Sequence, residues 1–479
     1  MQIKEDLAAI LGAERVSDEP EILEKYGRDH SFVQPRHPQC VAFAGSTEEV
    51  RKVVRYANEH RIAVTPRSSL VGFHGEGIPS LGGIVLDLTR MKRILEVNPT
   101  DKKVKVEPGV TWAELQPELA RQGLMVCNPL LPHPLKSVLT SVMEREPMLI
   151  PKGEYADSLA TAEVVLANGE VMWTGSALGG GMKGQKFAEA TIPTSTRLFQ
   201  GAQGTLGILT WGTIKTEWRP VQDKLVFLPL SRIQDVAEPV YRLQRLMLGN
   251  ECLVLNACTM AAILAEEWPG EFEQLRGRLP PYTLVFCLSG PARHPEMKIA
   301  YEEEALDKVA QELGLKVLPT VAGLAGLSSR MVGMLRSAWP QDREYWKFRY
   351  KKGCHEVFFF TTLDRVAEFS QAVDAVAAGH GYPGADIGFY LQPVERGRAC
   401  VAEYNFYCNP DDATERERVR RLVEAVSERA IGMGGCFTRP YGPWADAVYS
   451  RAATYTAFMK VVKNAFDPNN IMNPGRLCF

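Results

Sequence analysis

The period of apolar and polar positions changes repeatedly along this chain, and each change marks an element. Within residues 1–34, Leu7, Ile10 and Leu11 fall on one face of a helical repeat, ahead of a polar segment at 18–20. Val41-Ala42-Phe43-Ala44 is a short apolar run that reads as a strand. Ser46-Thr47-Glu48-Glu49 follows at once, a side-chain oxygen with a carboxylate three residues on, which predicts a reciprocally capped helix start. Val50, Val53, Val54 and Ala57 continue at helical spacing. Ile62-Ala63-Val64-Thr65 then predicts a buried strand, which delivers the chain into 66–79, an irregular stretch with three glycines and two prolines. A loop of this shape is more than a connector.

Beyond it, 83–88 and 104–110 are strand-like, and Thr111-Trp112-Ala113-Glu114 caps a helix running through Leu115 and Leu119. Residues 162–173 hold two apolar runs joined by Asn168-Gly169, a hairpin with both turn residues expected at positive φ. Glycine alternates with apolar residues over 201–210, so the backbone there either approaches something flat or anionic or packs tightly. The composition shifts near Arg219-Pro220. From 223 to 434, β-rich runs at 225–230, 253–256, 283–288, 357–361 and 401–407 are separated by helices such as 302–313 and 413–429, the pattern of an antiparallel α+β unit. An amphipathic helix over 455–464 stops at Asp467-Pro468-Asn469-Asn470.

Composition narrows the class. At 479 residues the chain exceeds one core, so two domains are expected. A net charge of -2 with 23% charged residues gives no field for nucleic acid or an anionic membrane surface. Charge occupies Lys4, Glu5 and Asp6, where a signal peptide needs apolar residues, and no apolar run spans a bilayer, so the expectation is a cytoplasmic protein. The ten cysteines include no Cys-x-x-Cys pair and read as small hydrophobes in a reducing compartment. Some motifs are decoys. Gly179-x-Gly181-x-x-Gly184 has dinucleotide-loop spacing without a leading strand and reads as a loop; His355-Glu356 lacks the second histidine of a zinc protease. Basic residues at 416–421 are interleaved with Glu415 and Glu417 and form a solvated face.

Four segments together carry a resemblance: 41–79, the block from Ser137 to Gly169, 201–210, and the ending Asp467 to Arg476. In order and spacing the chain resembles the vanillyl-alcohol oxidase / p-cresol methylhydroxylase family of FAD-dependent enzymes, with more distant likeness to glycolate and D-lactate dehydrogenases. The resemblance implies an α+β fold: an FAD-binding domain in two parts, 1–222 and 435–479, with an inserted antiparallel α+β cap domain, 223–434. Its pyrophosphate loop normally reads Pro-Arg-Gly-x-Gly-Thr-x-x-x-Gly. Here Arg67, Gly72, Gly75 and Pro79 fit, while Ser68, Ser69, Leu70 and Val71 replace glycines and threonine. The cofactor-facing residues implied are Arg67 through Phe73, Lys136, Ser137, Gly204, Gly207, Ile208 and Arg476. Lys136 is either a surface charge or a point-charge partner of the pyrophosphate. The cap lacks the His-x-Gly-Asp-Gly-Asn-x-His motif, and no histidine follows His380, so the FAD is expected to be noncovalent unless Tyr390, Tyr404 or Tyr407 links it.

The catalytic set implied is Arg439, Tyr441, Glu154 and His74. Arg439 either binds an anionic substrate oxygen or bridges domains. Tyr441 offers a hydroxyl, and Glu154 is either a base beside the flavin or a solvated carboxylate. His74 either substitutes for a phenolate-binding tyrosine or meets solvent. The expected activity is hydride removal from the benzylic carbon of a para-substituted phenol or aromatic alcohol, with electrons passing to oxygen or to an electron-transfer subunit, in a homo-oligomer. The alternatives are a 2-hydroxy-acid dehydrogenase subunit and a flavin-poor scaffolding subunit of an oxidoreductase complex.

Overall fold

A computed structural model of the chain describes residues 2–153, 157–179 and 195–479. Three main sheets follow one another along it. The first has the order Val16–Ser17, Cys40–Phe43, Ile84–Asp87, Val64–Arg67, with the last three strands parallel. Parallel neighbours need a crossover, and the helix Thr47–His60 supplies it, burying Val50, Val53, Val54 and Ala57. Its cap is one-sided. Ser46 accepts the Glu49 N–H at 3.3 Å, but the Glu49 carboxylate takes the Gly45 N–H at 2.8 Å and Arg15 at 2.7 Å. The box at Thr111 is reciprocal, as its residues predict.

The second sheet is antiparallel, in the order Ile94–Asn98, Lys103–Val106, Ile208–Lys215, Leu159–Val165, Val171–Trp173. Its last hairpin corrects the turn expected at Asn168-Gly169: only Gly169 has positive φ, at 76°. The Glu170 carbonyl accepts the Leu166 N–H, so the loop is longer than a two-residue turn. The third sheet is antiparallel throughout, in the order Gln222–Leu230, Tyr282–Gly290, Cys252–Asn256, Gly388–Val394, Ala399–Cys408, Gly353–Thr361. Gly388–Val394 escapes the sequence pattern because it is buried along nearly its whole length, which erases alternation, and it carries Pro393.

The chain end returns to the first sheet. Val64 donates to the Ile471 carbonyl at 2.7 Å and Asn473 to the Val64 carbonyl at 2.8 Å. Lys463 anchors this return, donating to Thr205 O, Met472 O and the Asp467 carboxylate at 2.7, 2.9 and 2.7 Å. Eight of the ten cysteines are buried, and all are free thiols. Among the described residues no helix is long and apolar enough to cross a membrane. Gly181 and Gly184 lie outside the described residues.

Candidate active site

The loop after the strand Val64–Arg67 is held from three sides. Arg67 donates to Tyr26 O at 3.1 Å and to Ser69 O at 3.3 Å. Asp29 accepts the Gly75 N–H at 2.7 Å, and His30 donates to Gly72 O at 3.1 Å. Gly75 has φ +81°, and a Cβ there would stand 2.4 Å from a Val33 methyl, so only glycine lets the loop close on this segment. From the chain end, Arg476 donates to the Ile78 carbonyl and Ser80 to the Pro474 carbonyl.

So held, the loop forms one wall of a cleft of about 160 Å³. Ser68, Ser69, Val71, Gly72, Glu76 and Gly77 line it, facing Gly201, Gln203, Gly204, Gly207, Ile208 and Leu209; Leu139, Thr140, Met143 and Glu144 close a third side, with Asn473 at the edge. Gly204 has φ +74°, and a Cβ there would meet Pro66 at 2.6 Å, so the two walls approach closely. Among the described residues, no hydrogen bond takes up the backbone N–H groups of Ser68, Ser69, Leu70, Val71, Gly72 or Phe73. Leaving amides without acceptors away from water is costly, whereas unpaired amides presented to a cleft, as four of these residues line it, suit an anion. Amides on one wall and glycine with apolar side chains on the other suit a ligand that is anionic at one part and flat at another. The hydroxyls of Ser68 and Thr140 meet across the cleft at 2.5 Å.

A second, smaller cavity of about 70 Å³ lies between the loop and the third sheet. It holds three cations, Lys136, Lys347 and Arg439, and three carboxylates, Glu146, Glu356 and Glu403, within walls of Phe73, Tyr345, Trp346 and Tyr390. Lys347 bonds Glu403 at 2.7 Å and Glu356 at 3.0 Å. Lys136 pairs with Glu144 at 3.1 Å and with Glu146. Burial alone would raise the Glu146 carboxyl, but Lys136 and Arg439 pull it down to about 2. Arg439 is different. It is buried, its guanidinium lies 4.0 Å over the Phe358 ring, and its nearest carboxylate oxygen, on Glu146, is 3.9 Å away. Its Nε has no partner.

His74 forms the wall between this cavity and a larger, mostly apolar chamber of about 560 Å³. Its ring stacks on Tyr441 at 4.8 Å and 15°, and its Nε2 is buried without a partner. Burial, then Arg439 and Lys136, push the imidazole down to about 3, so it is neutral at physiological pH. Tyr441 lines the larger chamber, and burial raises its phenol well above the ordinary value, which keeps it an O–H donor.

The structure therefore gathers part of the residue set expected from the sequence. Arg67, Ser68, Ser69, Val71, Gly72, Gly204, Gly207 and Ile208 line the cleft. Leu70 is partly exposed and not in its lining, and Phe73 turns away to pack on His30, Tyr345 and Phe348. Lys136 is neither a surface charge nor a lining residue of the cleft; its ammonium is committed to Glu144 and Glu146. Ser137 buries its hydroxyl on Pro108 O at 2.6 Å, and Arg476, buried and absent from the cleft lining, braces the loop through the Ile78 carbonyl. Arg439 and His74 share the second cavity, with Tyr441 stacked behind His74. Glu154 lies outside the described residues. Tyr390 donates to Gln392 at 2.8 Å, Tyr404 bonds Ser370 at 2.8 Å, and neither they nor Tyr407 line the cleft. His355, a core or surface histidine by sequence, stacks on Phe32. Glu76, Glu144, Lys347 and Glu403 carry no motif in the sequence, and Glu356 stands out only in the rejected His355-Glu356 pair; Glu403 is the one with a signal. The available signal for the last was its place, with Asn405, in an otherwise apolar strand.

A model of the FAD binding domain matches residues 38–175, and one of the C-terminal domain of FAD linked oxidases matches 300–477. The chain belongs to the FAD-linked oxidases. It is an FAD-dependent oxidoreductase of the p-cresol methylhydroxylase type of fold. This FAD-linked oxidase is 25% identical over 505 residues to a probable mitochondrial D-lactate dehydrogenase of Danio rerio, covering 98% of this chain and 90% of that one. It is 24% identical over 501 residues to a glycolate oxidase subunit of Bacillus subtilis, covering 99% and 96%. Among solved structures, it superposes on p-cresol methylhydroxylase with substrate bound at TM-score 0.85 and 20% identity, covering 100% of this chain and 96% of that chain. On the 4-ethylphenol oxidase of Gulosibacter chungangensis the TM-score is 0.82 at 20% identity, covering 99% and 96%. Its cofactor is FAD, and the cleft fits it: the unpaired amides of Ser68, Ser69, Val71 and Gly72 suit a pyrophosphate and the walls around Gly204 and Ile208 a planar ring.

Proposed function

We propose that this FAD-linked oxidase dehydrogenates a small substrate whose anionic oxygen is bound by Arg439, a para-substituted phenol or an aromatic alcohol. The observation that carries the reading is Arg439 itself: a buried guanidinium with a vacant Nε, facing a cavity walled by Phe73, Tyr345, Trp346 and Tyr390. A buried cation with so loose a partner gains most from an added anion. When bound, FAD supplies the hydride acceptor. The chain's own residues do the rest. Arg439 favours the deprotonated oxygen and fixes one end of the substrate, and the aromatic walls orient the ring and keep water out. His74, neutral, offers an unpartnered ring nitrogen, Nε2, rather than a second cation. Tyr441 behind it is a positioning residue that fixes the His74 ring. Glu154 is the candidate for receiving a proton or activating water, on its sequence position alone.

A second reading rests on the same cavity. Lys136, Lys347 and Arg439 together also suit a carboxylate, and the relatives above include a D-lactate dehydrogenase and a glycolate oxidase subunit by name. Here Arg439 clamps the carboxylate of a 2-hydroxy acid. The deciding experiment is anaerobic mixing of FAD-loaded protein with 4-alkylphenols, benzylic alcohols and D-2-hydroxy acids. Bleaching of the flavin absorption band by the aromatic compounds alone is the expected result. Bleaching by hydroxy acids alone selects the second reading. In either case the electrons leave for oxygen or a separate electron-transfer subunit, and the reading includes a cytoplasmic homo-oligomer.

A further inference from the structure

The cleft lined by Ser68, Ser69, Val71 and Gly72, four residues with unpaired amides, is also lined by two carboxylates, Glu76 and Glu144. A site for a pyrophosphate gains nothing from negative charge, so the state of these groups matters. Glu144 is compensated, with the Lys136 ammonium at 3.1 Å. Glu76 is not. Among the described residues it forms no ion pair, and its carboxylate accepts the His74 N–H at 3.1 Å. We infer that Glu76 must carry a proton for the cleft to accept the FAD pyrophosphate, so that cofactor binding is coupled to proton uptake at this residue. The inference rests on the reading of this cleft as the FAD site.

The surroundings of Glu76 all bear on its charge. Glu144 faces it from the short helix Val138–Met143 and its end, and Asp29 from the N-terminal segment; both oppose ionisation, as does burial, which is the largest effect. Lys136 favours ionisation, but it is already shared between Glu144 and Glu146. Arg476 is close enough to feel the Glu76 charge, but it forms no ion pair with it and donates to the Ile78 carbonyl, while Arg67 donates to the Tyr26 and Ser69 carbonyls. Together these bring the Glu76 carboxyl up to about 7 before any ligand arrives. An added anion raises it further. The sign follows: below pH about 7 Glu76 is protonated with or without ligand and affinity is at its maximum, whereas above it each binding event must draw a proton from solution.

The test is titration of FAD into the full-length protein, followed by flavin fluorescence quenching and by calorimetry in two buffers of different ionisation enthalpy. For the unmodified protein, affinity is expected to weaken above pH about 7 by up to tenfold per unit, with uptake of about one proton near pH 8. Glu76→Gln keeps the shape and removes the charge: it is expected to bind FAD more tightly above pH 7, with a flat pH dependence and no proton uptake. Glu144→Gln is expected to keep the slope. Binding by Glu76→Gln at pH 8, with none by the unmodified protein until the pH is lowered below about 7, supports the same inference in its strongest form. Equal pH dependence in the two, or binding by the unmodified protein without proton uptake, overturns it while leaving the FAD reading intact. Failure of both proteins to bind FAD at any pH overturns the FAD reading and the inference with it. The proton count on the unmodified protein decides the matter even where a variant fails to fold.

Discussion

Arg439 shows how far a single residue is legible. The family resemblance, through the segment Thr438 to Trp444, implies that it is an anion binder, with a bridge between domains as the alternative. The structure brings it into a closed cavity, 3.9 Å from Glu146 and over the Phe358 ring, with one nitrogen unmatched. That geometry makes a specific expectation. Arg439→Ala should lower kcat/KM about 100- to 1000-fold, the size found when a preorganised charge-stabilising donor is removed. Arg439→Lys should recover only part, since a point charge cannot reproduce the planar fork. Steady-state kinetics on the substrate that bleaches the flavin checks this, and thermal melting should show both variants folded. Lys136 is the opposite case. The sequence left it open between solvent and pyrophosphate, and two glutamates eight and ten residues on, brought back by the helix Val138–Met143, decided for neither.

At the scale of elements, the strands and helices that period and caps predicted lie near their observed bounds, because burial on one face writes a period into the chain. What they missed has physical causes. Gly388–Val394 is buried on both faces and shows no alternation. The short helix Trp346–Arg349 has too few residues for a period, yet it delivers Lys347 between Glu356 and Glu403, which stand on neighbouring, directly paired strands. A buried lysine shared by two carboxylates is a balanced unit. Lys347→Met strips the compensation from both and is expected to cost about 3–5 kcal/mol of unfolding free energy. Adding Glu403→Gln should recover part of that loss by removing one stranded charge. Urea unfolding of the two variants measures both quantities; an unchanged midpoint for Lys347→Met would show that water already solvates the pair.

At the scale of the whole molecule, the N-terminal segment, the loop, the third sheet and the chain end converge on three cavities, and burial there sets the charge state of the histidines. His74 and His355 are pushed down to about 3 and His133 to about 4, in each case mainly by burial. The unfolded chain binds protons near pH 6.5 that the folded one refuses, so the stability they contribute is present above that pH and is lost as pH falls through it. Guanidinium unfolding should therefore show a lower midpoint at pH 5 than at pH 7, and His355→Phe, which keeps the stack on Phe32, should reduce the difference. Glu146, held at about 2, adds acid sensitivity only well below pH 4.5. The sequence by itself determined the elements, the family resemblance with its cofactor, and the loop at 66–79, because these depend on local period, turn chemistry and the spacing of segments. Only the tertiary structure decided which residues of that loop meet the cleft, why Lys136 does not, and that Glu76, without an ion pair among the described residues, lines the same cleft as the unpaired amides of Ser68, Ser69, Val71 and Gly72. Those are facts of desolvation and pairing between segments far apart in the chain, and no local pattern encodes them.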